Sequence, residues 1–181
     1  MKIYTQFVLA LATSLTAVAA LSHVVLDDPV AAAGAAYRAV LRVGHGCDGA
    51  STNSLSVTIP SGFVSAQPLV KPGWNISTKI GKLAEPYEMH GSKITEGVQE
   101  ITWTAKGPEN ALPNALADEF VFRVTTPKKP GATWFKVVQG CDKGSNEWVE
   151  IPAAGQDAHS LKSPAARLDI LDVQAAGSHS H

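Results

Sequence analysis

Hydrophobic residues in this chain recur at every second position, and that period is what most limits the folds open to it. In Ser54–Pro60, SLSVTIP, the side chains of Leu55, Val57 and Ile59 fall on one side and those of Ser54, Ser56 and Thr58 on the other. This is the pattern of a strand buried on one face. The same beat runs through Tyr37–Val43, Trp74–Ile80, Gln99–Ala105, Glu119–Pro127, Trp134–Gly140 and Glu147–Pro152, with turn signals between them at Pro60-Ser-Gly62, Lys71-Pro-Gly73 and Lys129-Pro-Gly131. So many strands, each apolar on one face, predict an all-β fold, an antiparallel β-sandwich, because a second sheet is needed to cover the first. Helical spacing is confined to a short piece around Leu112–Ala117, Arg167–Val173 is compatible with an added edge strand, and no internal repeat is visible.

The amino-terminal stretch follows a different rule. Lys2 precedes an apolar run from Phe7 to Leu21, too short to span a bilayer comfortably, and Ala20-Leu21-Ser22 offers small residues where a signal peptidase inspects the chain. This predicts a cleaved signal peptide over residues 1–22, a sandwich domain over 23–173 and a disordered tail over 174–181. Cleavage after Ser22 makes His23 the first residue, whereas cleavage after Ala20 leaves Leu-Ser ahead of it. The formal net charge is −1, or −2 without Lys2, and no basic stripe exists, which argues against nucleic acid as a partner. No second long apolar run follows, so an exported protein, periplasmic or secreted, is expected. Two cysteines in such a chain, Cys47 and Cys141, predict one disulfide, with a thiolate metal site as the alternative. The bridge would close a loop of roughly 95 residues, worth about 4–5 kcal/mol on the chain-entropy account.

A histidine at the start of a processed chain carries two donors on one residue. Its free α-amine and imidazole Nδ1 can close a chelate ring on one metal ion. With a further nitrogen or a carboxylate the set approaches the tetragonal N,O geometry that suits Cu(II). Such a site forms only after cleavage, and because copper displaces protons from both donors, binding should weaken in acid. A second candidate is His45, between two glycines in LRVGHGCDG, beside Cys47 and Asp48. If Cys47 pairs with Cys141, the loop is tied to CDKGSNEW, which brings Asp142, Glu147 and Trp148 near. Among the other histidines, His90 adjoins Met89, His159 reads as a loop residue, and His179 and His181 lie in the tail. Trp74, Trp103 and Trp134 read as core, while Trp148, just beyond the second cysteine, is a candidate site residue. Asp27-Asp28 reads equally as a solvated strand start, and no GxSxG, HExxH or CxxC signature occurs.

The segments HVVLDDP, LRVGHGCDG, VTIPSGFVSAQPLVKPGW, EGVQEITWTAKG, DEFVFRV, VVQGC and EWVEIP, in this order, resemble the YcnI-like family, DUF1775, over nearly all of the chain from His23 to about Leu168. The resemblance implies a sandwich related to cupredoxin or immunoglobulin-like folds. It also implies one Cu(II) per chain held by a histidine brace, with the brace on His23 and a nearby tryptophan on Trp148. Gly44-His45-Gly46-Cys47 stands where relatives carry an Asn-Glu pair, so the second ligand is His45 in place of the glutamate, or Asp48 as the carboxylate.

The expected function is copper carriage or buffering in copper homeostasis, as a metallochaperone without catalysis. Its partners would be the ion and a copper-transport membrane protein or another periplasmic copper chaperone. The competing readings are a histidine-brace copper oxidase or monooxygenase and a metal-free interaction domain.

Overall fold

In the computed structural model, residues 23–89 and 91–173 are described. The expected signal peptide, His90 and the expected tail with His179 and His181 lie outside the described residues. The period-two pattern becomes twelve strands in chain order: β1 (Val25–Leu26), β2 (Val30–Ala32), β3 (Ala36–Val43), β4 (Thr52–Thr58), β5 (Val64–Pro68), β6 (Trp74–Met89), β7 (Ser92–Ala105), β8 (Asp118–Thr125), β9 (Gly131–Phe135), β10 (Val137–Cys141), β11 (Ser145–Trp148) and β12 (Ala166–Leu171). They form a four-stranded sheet β1-β3-β8-β5, a five-stranded sheet β11-β10-β4-β7-β6 and a three-stranded sheet β2-β12-β9. All pairings are antiparallel except β2 with β12, which is parallel.

The inward faces meet in one core. Ala39 and Leu41 of β3 and Phe120 and Phe122 of β8 are buried together with Leu55 and Val57 of β4 and Ile101 and Trp103 of β7. Edge-to-face ring contacts cross from sheet to sheet. Trp74 and Trp103 of the five-stranded sheet meet Phe120 of the four-stranded sheet at 5.1 and 5.7 Å. Phe122 meets Phe135, from the third sheet, at 5.7 Å. These contacts between strands remote in sequence, each large side chain contributing about 1.5–3 kcal/mol by leaving water, are what make the arrangement a sandwich.

Four details depart from the strand pattern. The expected strand Trp134–Gly140 is two strands in different sheets, β9 beside β12 and β10 beside β4. Burial still alternates through Phe135, Val137 and Gln139, so the side-chain pattern is blind to the change of hydrogen-bonding partner. The expected edge strand at Arg167–Val173 is the central strand β12, because β2, only three residues long, covers its other side. No helix forms at Leu112–Ala117: Leu112 bridges Thr52 in an extended pairing, as Pro113 after it favours. Finally, β6 and β7 run far beyond the expected segments as a hairpin whose outer half carries Lys82, Glu85, Glu88, Lys93 and Glu96, too solvated to alternate.

Candidate metal centre

β1 is an edge of the four-stranded sheet and β11 an edge of the five-stranded sheet. β1 pairs with β3 in the register Val25↔Arg42 and Leu26↔Leu41. His23 lies two residues ahead of β1, and the GHGC loop follows the end of β3 at Val43. On the other sheet, β11 pairs with β10 through Val137↔Trp148, and Trp148 is buried. The two edges meet through side chains: the His23 ring stands edge-to-face on the Trp148 ring, centroids 5.5 Å apart and planes at 87°. His23 Nε2 is buried there without a hydrogen-bond partner.

Behind this contact lies a buried amide. Gln139 is 1% exposed, and its Oε1 accepts from Trp148 Nε1 at 3.1 Å and from Asn146 Nδ2 at 3.4 Å. Its Nε2 donates to the backbone carbonyl of His45 at 2.7 Å and to Thr52 Oγ1 at 2.8 Å. Both hydrogens and both lone-pair directions of the amide are thus used, which removes the desolvation cost of burying it. Sequence reasoning passed over Gln139, although a polar residue on the buried beat Phe135-Val137-Gln139 was the signal that could have marked it.

The cysteines form the expected bridge, Cys47 to Cys141. It anchors the GHGC loop to the end of β10. Gly46 is required in that loop, because a Cβ on it would overlap the Ala50 carbonyl, which accepts from Cys47 N at 3.1 Å. His45 is half-buried, with Nδ1 at 2.5 Å from the Gly46 carbonyl oxygen, so Nδ1 carries the proton and Nε2 is left as the accepting nitrogen of the ring. Asp48 is exposed, in the left-handed region at φ 46°. Asp142 accepts from Asn53 Nδ2, and Glu147 lies exposed on β11.

The structure therefore joins His23, Trp148, Gln139 and the His45 backbone through successive contacts. Among the described residues no three His, Cys, Asp or Glu side chains gather as a ligand group. Trp74 and Trp103 are core as expected, and Trp134 is half-buried with the Arg167 guanidinium over its ring at 5.7 Å. His159 is exposed in a single 3-10 turn that Asp157 caps. Asp27 pairs with Arg42 at 2.7 Å on the surface.

Residues 23–170 match the family described as a domain of unknown function, DUF1775. The chain belongs to this family. No curated protein matches it. An uncharacterized protein from Nocardia farcinica, whose crystal structure is described as revealing an immunoglobulin-like fold, is similar at 25% identity and a TM-score of 0.63. The likeness covers 82% of this chain and 97% of that one. The DUF1775 domain here is accordingly an immunoglobulin-like sandwich cross-linked by one disulfide. Among the described residues no helix is long and apolar enough to cross a membrane.

Proposed function

We propose that this chain is an exported copper(II)-binding protein, a carrier or buffer in the periplasm or outside the cell. It takes one Cu(II) per chain through the α-amine and Nδ1 of His23 once residues 1–22 are removed. The observation that carries this reading is the placing of the His23 ring against the buried Trp148 indole at the sandwich edge. A metal on Nδ1 would leave the ring proton on Nε2, so on this reading the buried Nε2 is not a ligand and the chelating atoms are the α-amine and Nδ1. His45 or Asp48 would complete the donor set. Bound there, Cu(II) would sit in a nitrogen-rich tetragonal field suited to holding and passing on the ion. The family match beginning at His23 adds support for that residue as the first of the mature domain.

The test is intact mass and Cu(II) titration of the chain purified after export. The expected mass begins at His23, and the expected EPR spectrum is a single tetragonal signal reaching one copper per chain. Adding one residue ahead of His23 should abolish that signal. Stoichiometric binding that survives the added residue would refute the brace, and no stoichiometric signal would refute copper binding altogether.

A further inference from the structure

We infer that Gln139 is a positioning residue of the His23 site, holding the Trp148 indole against the His23 ring and the His45 loop beside it. Trp148 lies on the edge strand β11, which pairs with β10 alone, so pairing by itself leaves its ring free to choose a rotamer. The indole N–H bond to Gln139 Oε1 removes that freedom. The opposite end of the same amide grips the His45 carbonyl, the start of the disulfide-anchored loop, and Thr52 on β4. One side chain thus fixes the separation between the indole on which His23 packs and the His45 loop. The amide cannot be turned over: with Nε2 toward the indole, two donors would face each other, and Oε1 would face the carbonyl oxygen of His45.

The metal-dependent part of this inference rests on the copper reading, and the contact itself does not. Residues that orient a ligand from behind typically change metal affinity 10–100-fold when removed. The experiment compares the wild-type chain with Gln139→Met, which keeps the volume and loses every hydrogen bond, and with Gln139→Glu at a pH where the carboxylate is ionised, which keeps an acceptor for the indole but cannot donate to His45. Without metal, the His23 ring protons, displaced by the Trp148 ring current, are read by NMR. The expected result is loss of that displacement in Gln139→Met. In Gln139→Glu it should persist, while the amide resonances of residues 44–47 move. A folded Gln139→Met variant with unmoved His23 protons would overturn the inference. Should that variant not fold, loss of the His23 displacement in Gln139→Glu would overturn it, and persistence with a moved loop would support it.

With Cu(II), Gln139→Met is expected to bind roughly 10–100-fold more weakly, with an altered copper hyperfine splitting. Movement of the His23 protons without copper binding in either protein would retain the positioning role and refute only the copper reading.

Discussion

Tyr37 shows how one side chain ties stability to pH. Its hydroxyl donates to the Asp28 carbonyl at 2.5 Å, and its pKa is pushed up to about 12, by burial first and then by the Asp28 and Asp27 carboxylates. The folded state thus favours the neutral phenol, whereas the unfolded chain ionises it near 10.0. The unfolded state binds fewer protons in that window, so this contribution is complete below pH 10 and is lost as pH rises toward 12. Tyr37→Phe should therefore melt below wild type at neutral pH, by an amount that shrinks across the window. A constant offset in the melting curves would show that the phenol does not titrate as described. Lys71, the first residue of the expected turn Lys71-Pro-Gly73, joins charge to packing. Its Nζ donates to Asp118 at 2.6 Å and lies 4.4 Å from the centre of the Phe120 ring.

At the scale of elements, the disulfide and the long hairpin should behave in opposite ways. The Cys47–Cys141 bridge spans 94 residues of sequence and anchors the GHGC loop. Replacing both cysteines with alanine should cost about 2–5 kcal/mol in denaturant unfolding. It should also raise hydrogen exchange in residues 44–51 before the sheets themselves. The outer half of β6–β7 buries little, and one link to the body is the Ser65–Tyr87 hydroxyl pair at 3.0 Å. Since Gly81 pairs with Gly97, residues 82–96 can be replaced by an Asn-Gly turn. The shortened chain is expected to keep its unfolding free energy within about 1 kcal/mol of wild type. A larger loss would mean that the arm supports the core.

For the whole molecule, export processing and metal binding are one event on the copper reading. Free Cu(II) at a hundredfold excess over Kd should stabilise the processed chain by about 2.7 kcal/mol. The unprocessed chain, with the nitrogen of His23 acylated, should show no comparable shift in differential scanning calorimetry. Equal shifts in the two would separate metal binding from processing. On that reading the site would depend on the packing of the two sheets. His23 enters from one sheet edge and Trp148 from the other, so the contact between them exists only when both sheets are docked.

Much of this was legible in the amino acids alone. The alternation in Ser54–Pro60 and its counterparts determined an all-β chain of half-buried strands, because period two is a property of the backbone and needs no knowledge of neighbours. The two cysteines determined the bridge for a similar reason, there being one possible pair. Tertiary structure alone decided which strands became partners. Trp134–Gly140 divides between two sheets and β12 lies at the centre of a third, and hydrogen-bond partners leave no trace in an alternation of side chains. The site divides in the same way: His23, His45 and Trp148 could be singled out by chemistry and spacing, but Gln139 acquires its role from four partners on three separate segments, and only folding brings those segments together.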